Sequence, residues 1–316
     1  MDNHRPSPGV LTVLIISIMI GASELLGERE IIFPEIAAIA VGMLLVPRRP
    51  WQTSRMRVLV LISLSAVVGL SVSVLLPLPL WEKMCVAFLL AQVLLIFGGT
   101  TFAPLISAAV LPVMLGSESM VYLIAAVSLT ALILLVNFIL ECTGLRSREA
   151  FRPVPPPEGR AWGRVIARIV LGVLCIAAAV SLHAKYMVAP PMLVAFTEFM
   201  NPDSRAKEHP FKSIGLIALC AAAGAASRLG LSVALGLPLT VSAAAAAVLL
   251  LWLLREFQLY LPPAAALTVL AMLIPQSDLL LYPAEILVGV SVLMGLAKLT
   301  DLLSEARSHS GAHLHP

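Results

Sequence analysis

Charge is scarce in this chain of 316 residues. Asp, Glu, Lys and Arg make up 12% of it against 59% apolar residues, and the mean hydropathy is +0.98. A soluble domain carries about twice that share of charge, so no stretch is polar enough to fold on its own in water. The net charge of +3 therefore says little about nucleic acid, and none is expected as a partner. Cysteine is sparse too. Cys85, Cys142, Cys175 and Cys220 lie far apart, with no CxxC and no metal spacing, so they read as small apolar packing residues. Also absent are HExxH, GxSxG and GxxxxGK[ST], and no carboxylate pair or Ser/His/Asp set stands at membrane depth. These absences argue against ATP-driven transport by this chain alone and against intramembrane proteolysis. The expectation is no enzyme, no cofactor and no metal site.

Long apolar runs recur from end to end, among them "VLTVLIISIMIGASELLG" and "MVYLIAAVSLTALILLVNFIL". Each is long enough to cross a hydrocarbon core of roughly 30 Å as a helix, so the fold class is an all-α polytopic membrane protein with the lipid bilayer as partner. The first run has the look of a signal peptide. No small-residue cleavage site follows "ELLGEREIIF", and the run reads as a retained first span.

The chain also repeats itself. "PEIAAIAVGMLLVP" from Pro34 matches "PMLVAFTEFMNP" from Pro191: alanine falls four residues after the proline, methionine nine after it, and another proline soon follows. Pro104 and Pro262 are each followed ten residues later by methionine, Met114 and Met272, and then by an acidic tip at Glu118 or Asp278. The division is a first membrane repeat at 5–145, an Arg/Pro-rich cytoplasmic linker at 146–161, a second repeat at 162–305, and a disordered histidine-containing tail at 306–316. Each repeat has six segments in the order long, short, long, long, short, long. The short ones are headed by Pro34, Pro104, Pro190/Pro191 and Pro262/Pro263.

Arginine placement decides whether the short segments cross. With a cytoplasmic N-terminus and all segments crossing, the inner side holds Arg48, Arg49, Arg55 and Arg57, then Arg146, Arg148, Arg152, Arg160 and Arg164. It also holds Arg205, Lys207, Lys212, Arg255 and the terminal Arg5 and Arg307. Only Arg29, Lys83 and Lys185 fall outside, 15 against 3, as the positive-inside rule requires. Short segments that dip in and return would place the arginines at 48–57 and 146–164 on opposite sides. Twelve crossings make each repeat two inverted long-short-long triples, with the two repeats parallel and both termini inside. The expected location is the bacterial cytoplasmic (inner) membrane, with a homo-oligomer left open.

A helix of 12–13 residues rises only about 18–20 Å. The rest of each short segment must be extended backbone, which membrane depth tolerates only where protein buries it or water reaches it. Each short segment is thus expected to be a half-helix whose proline-headed N-terminus lies near the midplane. Free N–H groups and roughly half a positive charge at each N-terminus suit an anion. The expected substrate contacts are Pro34, Glu35, Pro104, Ser107, Pro190, Pro191, Thr197, Pro262, Pro263, Ala264 and Thr268. The N–H groups of Ala264, Ala265 and Ala266 are expected to be free. Arg228 is a further candidate, as an anion contact, as the partner of Glu35, or as a headgroup anchor. Glu198 and Glu35 are candidates for proton coupling; Glu198 is also placed to pair with Arg255 or to lie at a solvated helix end. His309, His313 and His315 read as a polar tail rather than a metal site.

"YMVAPPMLVAFTEFMNPDSRAKEHPFKSIGLIALCAAAGAASRL" resembles the first part of the HPP family of integral membrane proteins, and "LYLPPAAALTVLAML" resembles that family's histidine-proline-proline motif. Leu261 stands where the family has histidine, and Pro262 and Pro263 match its prolines. The first repeat keeps one proline, in "FAP" at Phe102–Pro104. The resemblance is closest over 160–305. Some members are implicated in nitrite transport, so it implies permeation of a small anion, nitrite-like or a small carboxylate. A more distant likeness is to the aromatic acid exporter type. The alternative reading is a structural or regulatory membrane subunit whose half-helices only pack.

Overall fold

The computed structural model describes residues 7–46, 48–159 and 161–312, with side chains placed through residue 305. Arg5, Arg160, His313 and His315 lie outside the described residues, as do the side chains of Arg307 and His309. Twelve α-helices and no strand are found among the described residues. They are α1 (Pro8–Leu26), α2 (Glu35–Ala40), α3 (Arg55–Leu75), α4 (Leu80–Phe97), α5 (Pro104–Leu115) and α6 (Met120–Cys142). There follow α7 (Ala161–Ser181), α8 (Pro190–Phe199), α9 (Pro210–Ser227), α10 (Leu239–Glu256), α11 (Pro262–Leu270) and α12 (Tyr282–Ala312). Helix α2 continues as a π turn over Val41–Leu45, and α9 as a π stretch over Arg228–Ala234. The last helix runs through Ala312, so 306–312 is helical where a tail was expected.

Eight of these elements are long and apolar enough to span a bilayer: α1, α3, α4, α6, α7, α9 with its π stretch, α10 and α12. The chain is a multi-pass helical membrane protein. Leu14 and Ile18 on α1, Val248 and Trp252 on α10, and Val288 and Val292 on α12 are exposed apolar side chains of the kind a bilayer covers.

Local chemistry sets the helix ends. Ser7, Ser54 and Ser119 each accept an N–H of the first turn that follows, from Val10, Arg57 and Val121. Proline opens α5, α8 and α11 at a position where a missing N–H costs nothing. Pro34 caps α2 from the residue before it.

The short helices lie inside. All of α2 and α11 is buried, as are Pro104–Met114 of α5 and Pro190–Thr197 of α8. Their neighbours come in matching pairs. α3 lies on α5 as α9 lies on α11, and α6 packs on α3 as α12 packs on α9. Between the halves, α1 packs on α10 and α7 on α4, while α2 packs on α11 and α8 on α5. Gly69 permits the first of these contacts: a Cβ there would lie 2.2 Å from the Ala109 carbonyl oxygen. Gly224 does the same on α9, 2.2 Å from the Thr268 carbonyl oxygen. Tyr122 donates to the Ala108 carbonyl at 2.8 Å, and Tyr282 to the Leu267 carbonyl at 2.7 Å.

Candidate functional site

Extended backbone leads toward α11 and α2, whereas α5 is entered through Ala103 in helical conformation and α8 through a 3-10 turn at Lys185–Val188, against the expectation of an extended stretch before every short helix. Before α11, the chain turns at Gln258 with φ 49 and is extended at Leu261. Before α2, it turns at Gly27 with φ 68 and is extended at Ile32. Proline stiffens the first route, since Leu261 directly precedes Pro262 and a residue before proline is pushed away from helical angles.

Within this interior, Glu35 occupies the first turn of α2 at 1% exposure. Ser107 on α5 is close enough to act on its carboxylate. Yet Glu35 Oε2 and Ser107 Oγ are both buried without a hydrogen-bond partner. The other expected hydroxyls are occupied. Thr268 donates to the carbonyls of Ala264 and Cys220 at 3.0 and 3.1 Å. Thr197 donates to Leu193 at 2.9 Å and accepts from the Gln92 amide at 3.2 Å.

The N–H of Ala264 is not free: it donates to the Leu261 carbonyl at 3.0 Å. Ile36 and Ala37 bond in the same way to Phe33 and Pro34, and Ile106 bonds to Ala103. A tight first turn lets the chain cap itself, so the expectation of three free donors at α11 fails at Ala264.

Arg228 does not meet Glu35. Its Nη1 donates to the carbonyls of Ala271, at 2.7 Å, and Ile274, just beyond the C-terminal end of α11. Arg29 donates to Leu273 there at 2.8 Å. The two guanidiniums lie together on one wall of a cleft of about 370 Å³. The helix changes to π geometry at Arg228, a distortion frequent at functional sites.

No family model, curated protein or solved structure matches this chain.

At the opposite, arginine-rich end, the loops close over α2 and α8. Trp51 lays its ring on Gly42 and donates its indole N–H to Glu198 at 2.9 Å. Glu198 thus takes its hydrogen bond from Trp51 rather than from Arg255. Arg49 pairs with Glu141 and also donates to Asn137 at 3.2 Å, and Arg55 reaches Glu141 at 3.4 Å. Arg146 holds the carbonyls of Leu44 and Val46 at 3.0 and 2.8 Å. Burial, with the Arg49 charge nearby, pulls the Arg146 guanidinium below its ordinary pKa.

Two charged residues with notable surroundings are not among the expected site residues. Arg29 counted only as an outside charge. Arg168 lies within α7, and its Nε is buried with no partner. Helix α7 packs on α4, where Gln92 Oε1 is likewise unpaired. An arginine inside an apolar span is itself the signal that was available in the sequence.

Proposed function

We propose that this chain is a transporter or channel for a small anion, nitrite-like or a small carboxylate. The substrate would pass the midplane where the proline-headed starts of α2, α5, α8 and α11 meet. In this reading the chain is two parallel repeats of inverted long-short-long triples, crossing twelve times with both termini in the cytoplasm of a bacterium. The matched neighbours of the two halves support that architecture. The HPP-family resemblance of 160–305 enters on the same footing.

One observation carries the reading. A carboxyl and a hydroxyl, Glu35 and Ser107, stand close together inside a largely apolar core, with Glu35 Oε2 and Ser107 Oγ without a hydrogen-bond partner. Each such atom costs about 1–3 kcal/mol, and structures keep them where they serve binding, catalysis or charge movement. Glu35 sits at the positive end of α2, which is not where an anion alone would be met. Its role is therefore to exchange a proton in step with the anion, and Pro34, Pro104, Ser107, Pro190, Pro191, Thr197, Pro262, Pro263 and Thr268 shape the passage.

The packing of α5 and α11 favours a second reading, a membrane subunit in which the short helices only fill the core. Flux separates the two. Purified protein in liposomes should take up nitrite or acetate faster than empty liposomes under an imposed pH gradient. Glu35→Gln should lower that uptake by about tenfold, the effect of about 1.4 kcal/mol on the rate-limiting barrier. Uptake equal to that of empty liposomes across a panel of small anions would leave the subunit reading standing.

A further inference from the structure

The cleft at the C-terminal end of α11 holds more positive charge than the fold needs. A helix C-terminus carries roughly half a negative charge, and its last carbonyls are open to donors. One cation suffices to complement it. Here two guanidiniums converge on the carbonyls of Ala271, Leu273 and Ile274. They are near enough for the Arg29 charge to act on Arg228. Each uses one terminal nitrogen, and the Nε and second Nη of both have no hydrogen-bond partner among the described residues.

Neither arginine is in an ion pair among the described residues. Glu24 also lines the cleft, with its carboxylate held against α10 rather than paired with either arginine. It accepts the N–H groups of Leu239 and Thr240, the latter at 2.8 Å, and the Thr240 hydroxyl. The remaining wall includes Met272, Pro275 and Gln276. Arg228 is half-buried and Arg29 exposed, so one cation is fixed in depth and the other stands at the mouth.

We infer that this cleft is a binding site for a small oxyanion or carboxylate, held by the free edges of Arg29 and Arg228. A guanidinium edge matches a planar oxyanion through two parallel hydrogen bonds, and a volume of about 370 Å³ admits a small organic acid as readily as an inorganic ion. Two sources share this chemistry, a free anion in solution and the phosphate of a lipid headgroup. The site deepens the transport reading by supplying an entry point on the side away from the arginine-rich loops, and it stands or falls separately from it.

The test uses the full chain in lipid-free detergent, titrated calorimetrically with sodium acetate and with sodium phosphate at constant ionic strength. Arg29→Gln, Arg228→Gln and Arg228→Lys are titrated beside it, with thermal melting to establish that each is folded. Saturable binding by the native chain is expected. It should weaken about tenfold or more in Arg29→Gln, the loss of one charge-assisted pair, with Arg228→Lys between the native chain and Arg228→Gln. If Arg228→Gln does not fold, Arg29→Gln decides, because Arg228 still caps α11 in that variant. Repeating the titration in phosphatidylcholine nanodiscs with and without phosphatidylglycerol separates the sources. Displacement of the free anion by phosphatidylglycerol assigns the site to a lipid phosphate, and unchanged binding assigns it to a solute. Absence of binding in detergent and nanodiscs, or equal binding in the native chain and Arg29→Gln, overturns the inference and leaves both arginines as helix caps. Binding without liposome flux would refute the transport reading alone; flux without binding would refute the cleft alone.

Discussion

At the scale of the residue, the interior is governed by hydrogen atoms in the place of side chains. Gly69 and Gly224 let α3 and α9 ride directly on the backbone of α5 and α11. A methyl group would meet a carbonyl oxygen at 2.2 Å in each case, far inside any real contact. The carbonyl belongs to a buried helix and has nowhere to go, so the long helix must lift. Gly69→Ala and Gly224→Ala should each lower stability in detergent by about 1–3 kcal/mol, the usual cost of overpacking a filled core. Gly230 has open space around it, and Gly230→Ala should leave the melting temperature nearly unchanged. Thermal unfolding of the three variants against the native chain is the measurement. An unperturbed Gly224→Ala would mean that the packing of α9 on α11 is looser than these distances state.

At the scale of the element, the short helices are what the prolines make of them. Proline at Pro262 and Pro263 ends any chance of continuing α10 into α11, because neither residue can donate and Leu261 is held extended. Substituting both by alanine gives "LYLAAAAALTVLAML", a sequence with no local reason to break. The helix should then grow backward through Leu261 until it joins α10, so that the N–H groups of Tyr260 and Leu261 bond the carbonyls of Glu256 and Phe257, and amide exchange at both should slow. Insertion and melting should be preserved while anion uptake is lost. Exchange at those two amides as fast as in the native chain would show that tertiary packing, not proline, sets the break. Much of this level was legible from the amino-acid sequence, because length, proline position and apolar content are local properties. The self-capping of Ala264 was not: a tight first turn leaves no mark in residue type. The partners of Arg228 and Arg29 were equally hidden. They are carbonyls 43 to 46 residues away for one and 244 for the other, and a carbonyl is carried by every residue alike. Arg168 was visible and went unread.

At the scale of the whole molecule, the proposed orientation rests on charge. The loops around Arg48, Arg152 and Asp203 all belong to one end of the helix bundle. Arg146, on the linker, bonds the Leu44 and Val46 carbonyls, and Trp51 bonds Glu198 across the halves. In the proposed topology the positive-inside rule puts that end in the cytoplasm. Cysteine labelling tests this, but the sites must be chosen on the structure. Arg49 and Lys207 are poor choices, since their side chains are 6% and 9% exposed and would resist a reagent from either side. Arg48, Arg152 and Asp203 are exposed and report topology rather than burial. In a chain freed of its own four cysteines, thiols at these positions should stay unlabelled by an impermeant reagent in intact cells and become labelled once the membrane is opened. A thiol at Leu280, 78% exposed at the opposite end, should label without opening. The pattern has a strict consequence for the short helices. If α2 and α5 cross, Arg48 and Arg152 behave alike; if they dip in and return, the two lie on opposite sides. Labelling at Arg152 with protection at Arg48 would therefore remove the inverted triples, and with them the reason for four positive helix ends to meet at the midplane.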